Sequence, residues 1–181
     1  MHKLFEKNTK LGILGGTFDP PHRGHLHISK VALKKLRLNK LIWIVTKKNP
    51  LKKKPYLKIK TRIKLARKIT SKEKKIFVQY FDNKIKSSNT FDLLNHLKIK
   101  QKKAKLFFLI GADNLIKFHR WNNWKKIPEL AKIVVFARPG FSTKALNSIA
   151  SEKLGRKEWI FVKSTKLNIS SSKLRKFDKI I

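Results

Sequence analysis

Gly15-Gly16-Thr17-Phe18-Asp19-Pro20-Pro21-His22-Arg23-Gly24-His25 joins an apolar run, Leu11 to Leu14, to a helix-like run, Leu26 to Leu36. The stretch therefore reads as the loop between a first strand and a first helix. In an open parallel sheet, ligands bind just outside the carboxyl ends of the strands, which is where such a loop lies. Gly15 and Gly16 suggest positive φ and a close backbone approach to a ligand. Pro20 and Pro21 stiffen the approach to the helix. The helix start offers unpaired N–H groups and a positive dipole end, which suit a phosphate. His22 and His25, three residues apart with Gly24 between them, fall on one face if the helix begins there. Both imidazoles can then converge on one anion.

Working outward, apolar runs predict strands over Lys10–Gly15, Leu41–Val45, Ile76–Tyr80, Leu106–Ile110, Ile133–Ala137 and Trp159–Val162. Between them, helical spacing marks His25–Lys35, Thr61–Thr70 and Thr90–Ile99. A short helix is expected around Pro128 within Trp121–Ala131, another over Phe141–Ser151, and a last one from Ser171 onward. Continuous apolar strands alternating with helices argue for a parallel sheet covered on both faces. The expected fold is a doubly wound, Rossmann-like α/β domain spanning residues 1–181, with a short C-terminal helical segment. No GxGxxG follows the first strand, which argues against a dehydrogenase.

The 181 residues can bury a real core. No apolar run approaches the ~20 residues of a membrane span. The N-terminus does not resemble a signal peptide, and there is no cysteine, so a cytoplasmic setting is expected. Charge is the unusual feature: 46 Lys and Arg stand against 10 Asp and Glu, a net +36. Such a field attracts polyanions. The lysines are spread along the whole chain, which fits a compositional bias on solvated faces. Acidic residues are scarce, so their positions inform: Asp19, Asp92 and Asp113 lie in motifs, and the others read as surface positions.

The first loop resembles the HxGH signature of the nucleotidylyltransferase superfamily. In its longer form, GGTFDPxHxGH, it is similar to the loop of the nicotinate-nucleotide adenylyltransferases. The resemblance extends along the chain. Ser170-Ser171-Ser172-Lys173-Leu174-Arg175 resembles the family's ISSTxxR element, with Ser172-Lys173-Leu174-Arg175 keeping the spacing to the Arg. Gly111-Ala112-Asp113 with Trp121 downstream is similar to a GAD motif and a Trp that packs on the pyridine ring. Ser88–Asp92 resembles SYTxDT, of which only Thr90 and Asp92 carry over; Asp92 is equally suited to capping the helix. Arg138-Pro139-Gly140 matches RPG. After the second strand, relatives show PPHK where this chain has Asn49-Pro50-Leu51-Lys52, so the His is missing and the role of the Lys-rich loop 47–54 stays open.

The resemblance implies transfer of AMP from ATP to nicotinate mononucleotide, with Mg²⁺ accompanying ATP. It assigns His22 and His25 to catalysis. Gly15, Gly16, Thr17, Phe18, Gly24, Ser171, Ser172 and Arg175 are assigned to ATP, and Thr90, Asp113, Trp121 and Arg138 to the mononucleotide. No protein metal cage is evident. Two alternatives stay open. One is a related enzyme with phosphopantetheine, nicotinamide mononucleotide or an alcohol phosphate as acceptor. The other is a basic nucleic-acid-binding protein, which leaves the HxGH loop unexplained.

Overall fold

The structure is a computed structural model that describes residues 9–49, 51, 54–155 and 157–163. Ser171, Ser172, Arg175, Lys52 and the expected last helix lie outside the described residues.

Among the described residues, six strands form one sheet: β1 Lys10–Gly16, β2 Lys40–Val45, β3 Ile76–Gln79, β4 Lys105–Gly111, β5 Lys132–Phe136 and β6 Trp159–Val162. Their order is β3-β2-β1-β4-β5-β6, and every neighbouring pair is parallel. The strand order reverses between β1 and β4, which opens a crevice at their carboxyl ends. Register is fixed by apolar pairs such as Ile13 with Ile42 and Ile13 with Phe108.

Each central strand is buried on both faces, with side chains alternating between two cores. Leu41, Trp43 and Val45 face one core with Ala32 of helix α1 (Arg23–Lys35) and Ala66 of α2 (Ile59–Thr70). Ile42 and Ile44 face the other, with Leu93, Leu94 and Leu97 of α4 (Thr90–Lys100). A short helix α3 (Asp82–Ile85), absent from the sequence reading, precedes α4. The short helices α5 (Ala112–Leu115), α6 (Ile127–Leu130), α7 (Ser142–Leu146) and α8 (Ile149–Lys153) are the remaining α-helices among the described residues. Two 3₁₀ turns, Phe118–Arg120 and Trp124–Lys126, separate α5 from α6. No helix among the described residues is long and apolar enough to cross a membrane.

The expected helix over Phe141–Ser151 is in fact two. Ser148 ends the first and caps the second: its Oγ donates to the carbonyl of Ala145 (2.7 Å) and accepts from the N–H of Ser151 (3.3 Å). Helix α1 begins earlier than expected, with His22 as its extended N-cap (φ −148°). Asp82 corrects the reading of the remaining acids as surface positions, because it is buried. Truncating Phe118, fully buried between Trp121 and Trp124, should cost about 3–5 kcal/mol in Phe118→Ala by chemical denaturation.

Candidate active site

The loops after β1, β2, β4 and β5 gather at one edge of the sheet. The first begins where the pairing of β1 with β2 ends, at Gly16 opposite Val45. Gly15 and Gly16 lie within β1, and neither has positive φ. The expectation of left-handed backbone there is therefore corrected. Their smallness instead leaves room beside neighbouring rings: an added Cβ on Gly15 would sit 3.6 Å from Phe108, and one on Gly16 3.6 Å from Phe18. Left-handed backbone falls on Phe18 instead (φ 48°). A non-glycine residue is strained there by roughly 1–2 kcal/mol. Burial of the ring, worth about 1.5–3 kcal/mol, offsets it.

The Phe18 ring stacks on Trp43 (centroids 4.9 Å apart, 13° between planes) and tilts against His25 (4.8 Å). With 2 % of its surface exposed, its side chain cannot meet a nucleotide as expected. Only its backbone can. Trp43 also braces the start of α1. Its indole N–H donates to Ser29 Oγ (2.8 Å), and the Ser29 hydroxyl donates to the carbonyl of His25 (2.8 Å).

The two histidines come together as expected, with ring centroids 3.8 Å apart. The backbone N–H of His22 donates to His25 Nδ1 (3.2 Å). In the neutral ring the proton must then reside on Nε2, so His25 is set as an Nε2–H donor. His22 has a buried Nδ1 without a partner among the described residues. Burial, and secondly the nearby positive charge of Arg138, push its imidazole from 6.5 down to about 4. The ligand-free protein thus holds His22 neutral at pH 7.

The Arg138 effect also shows that the β5 loop lies beside the β1 loop. Arg138 donates from Nη1 to Asp113 Oδ2 (2.6 Å) and lies over Phe141 (5.7 Å). Asp113, expected as a partner for ribose hydroxyls, spends Oδ2 on Arg138, and its Oδ1 is buried without a partner. Gly111 is required beside it, since an added Cβ would lie 2.5 Å from that Oδ1. Gly140 takes φ 77° in the turn after Arg138. Trp121 is half-buried, against Phe118 (5.1 Å) and edge-on to Phe108 (6.1 Å). Phe108 is also the ring nearest Gly15, which brings Trp121 into the neighbourhood of the first loop.

Thr90 is the half-buried first residue of α4. Asp92 accepts from the hydroxyl of Ser87 and the amide of Asn89 (3.4 Å). It therefore ties down the segment entering α4 through side chains, while α4 itself has no side-chain cap hydrogen bond. Gly24 lies in the first turn of α1. Thr17 turns its carbonyl towards Arg62.

Arg62 is the residue that sequence reasoning missed. It is 2 % exposed. Its Nη1 donates to the carbonyls of Thr17 and Thr46 (2.7 Å to the latter), its Nη2 to Lys47 (3.1 Å) and its Nε to Leu57 (3.0 Å). Two buried carboxylates flank this knot. Asp19 accepts the N–H groups of Tyr56 (2.8 Å) and Leu57 (2.9 Å). Asp82 accepts the N–H of Lys47 (2.7 Å) and the hydroxyl of Ser88 (2.6 Å). A signal existed: Arg62, Ala66 and Thr70, four residues apart, are the buried positions of α2, so a charged residue stands on the inward stripe.

Among the described residues, no group of three or more His, Asp or Glu is placed to hold a metal ion. Asp19 and Asp113 are already engaged by backbone N–H groups and by Arg138.

A family model described as cytidylyltransferase-like matches residues 13–177. A probable nicotinate-nucleotide adenylyltransferase of Pelagibacter ubique is 46 % identical over 175 residues, covering 97 % of both chains. One from a Ruegeria species is 42 % identical over 130 residues, 72 % of this chain and 68 % of that one. Among solved structures, Plasmodium falciparum nicotinic acid mononucleotide adenylyltransferase complexed with NaAD superposes with a TM-score of 0.74. It does so at 19 % identity, over 94 % of this chain and 84 % of that one, a likeness of fold.

Proposed function

We propose how this chain, which belongs to the nicotinate-nucleotide adenylyltransferase family, divides its reaction among the residues described above. The enzyme transfers AMP from ATP to nicotinate mononucleotide, giving nicotinate adenine dinucleotide and pyrophosphate. The observation that carries the assignment of roles is the convergence of the His22–His25 pair with Arg138 and Asp113.

The nucleophile is a phosphate oxygen, already ionised at neutral pH, so no side-chain base and no covalent enzyme intermediate are required. In-line attack on the α-phosphate of ATP releases pyrophosphate. Catalysis is then placement of two anions and screening of their charge. His25, donating from Nε2, and His22 hold the triphosphate and stabilise charge growing on the leaving group. A phosphate beside His22 opposes the two effects that keep it neutral, and draws a proton onto it. Gly15, Gly16, Thr17 and Gly24 contribute backbone, as does Phe18. Ser171, Ser172 and Arg175 are assigned to the far end of the triphosphate.

Arg138, aligned by Asp113, faces the mononucleotide with Thr90 and Trp121, and Trp121 offers its ring to the pyridine. Mg²⁺ would travel with ATP, its ligands being phosphate oxygens and water, and would screen the polyphosphate charge. ATP and the mononucleotide are the partners of this reading.

The test compares pyrophosphate release with nicotinate mononucleotide and nicotinamide mononucleotide at equal ATP and Mg²⁺, with phosphopantetheine as a third acceptor. Turnover should be fastest with the nicotinate form. No ATP turnover with any acceptor, together with tight and steeply salt-dependent nucleic-acid binding, would favour the basic-protein alternative.

Two pH effects follow from His22. In the unfolded chain it titrates near 6.5, in the ligand-free fold near 4. The unfolded state therefore binds the extra proton between these values, and stability rises with pH across that window. The contribution is complete above pH 6.5 and is lost as pH falls towards 4, which thermal melts from pH 7.5 to 4.5 will show. Arg138→Gln removes a positive neighbour and should raise the His22 pKa, as read by NMR titration of its ring.

A further inference from the structure

We propose that Arg62 is a positioning residue for the ATP half of the reaction, acting through the Thr17–Phe18 peptide without touching substrate. The proposal rests on the reading of Gly15–Phe18 as the ATP loop. A trans peptide points its C=O and N–H in opposite directions. Among the described residues the cis bond is Asp19–Pro20, so the Thr17–Phe18 peptide is trans. Arg62 draws the Thr17 carbonyl inward from its buried place under the loop. The N–H of Phe18, across the same peptide, is thereby turned outward, to the side on which the phosphates of ATP would lie.

The same guanidinium holds the loop after β2 at Thr46, Lys47 and Leu57. The Thr46–Lys47 peptide is pinned at both ends, its carbonyl by Arg62 and its N–H by Asp82. One planar cation thus sets the first loop relative to the second. The planar fork is needed for this: four carbonyls are met from three nitrogens in fixed directions, which an ammonium cannot reproduce. Asp19 and Asp82 supply the opposing charge that keeps the cation inside the fold.

The experiment uses Arg62→Lys, which retains charge and loses the fork. The expected result is a rise of about fivefold in KM for ATP, with KM for nicotinate mononucleotide changed less than about twofold. Thr70→Ala is the control: it removes the hydroxyl that donates to the Ala66 carbonyl on the same helix (2.9 Å). It lowers Tm and should leave both KM values unchanged. If Arg62→Lys lowers Tm but leaves both KM values unchanged, Arg62 merely supports the fold, and the proposal fails. If Arg62→Lys does not fold, Asp82→Asn replaces it. That variant keeps Arg62 and weakens one pinned peptide, and should raise KM for ATP by about twofold to threefold. An unchanged KM there overturns the proposal equally. A wild-type enzyme that turns over no ATP would instead overturn the reading of the loop itself.

Discussion

His25→Ala and His22→Ala should each lower turnover by ~10²-fold or more in a pyrophosphate-release assay, the scale of removing one donor to a developing anion. The expectation for His25 is the firmer in geometry. The His22 N–H occupies its Nδ1, so its Nε2–H is set as a donor before ATP arrives, and no reorganisation is needed. Its ring is also packed against Phe18 and Trp43, which limits its rotation. His25→Ala should therefore fall mainly in kcat. In the proposed chemistry His22 starts neutral and gains a proton as phosphate binds, so His22→Ala should also flatten the acid limb of the pH–rate profile. Near-wild-type turnover in both variants would remove the histidines from the proposed chemistry.

Asp113→Ala should raise KM for nicotinate mononucleotide by about 10- to 100-fold, corresponding to a hydrogen bond to a charged group worth about 1.5–3 kcal/mol. Arg138 holds its direction through one short ion pair of 2.6 Å with Asp113. Without it, no ion pair among the described residues fixes the guanidinium. Gly111→Ala offers an independent route to the same outcome. Its new Cβ would press on Asp113 Oδ1 at 2.5 Å, and turning the carboxylate aside would disturb the Oδ2 bond to Arg138. Both variants should spare KM for ATP. A mononucleotide KM unchanged in both would show that Arg138 needs no fixed direction.

The parts of this molecule that the sequence disclosed are those written in neighbouring residues. Strands β1, β2, β4 and β5 show as short continuous apolar runs because each is buried on both sides. The loop from Gly15 to His25 shows because Gly, Pro and His crowd together there, and the close pairing of His22 with His25 follows from helical spacing. What stayed hidden depends on contacts between distant segments. Arg62 meets Thr17 across 45 positions, and Asp82 meets Lys47 across 35. A side chain that serves a far carbonyl leaves no periodic trace. Asp82 was therefore read as a surface residue when it ties loops together, and the packing of the Phe18 ring into a core gave no sign in the sequence. The break at Ser148 was missed for a related reason: helical spacing continues through it, and only the hydroxyl reveals the interruption.

The reversal of strand order has a mechanical consequence. Strands β1 and β4 are hydrogen-bonded neighbours, and such neighbours stand about 4.8 Å apart. The histidine loop leaves one and the Gly111–Asp113 turn leaves the other. On the proposed reading, the spacing between the two substrate sites is set at its base by the sheet itself, like the jaws of a fixed gauge. The two strands cannot part without breaking that ladder.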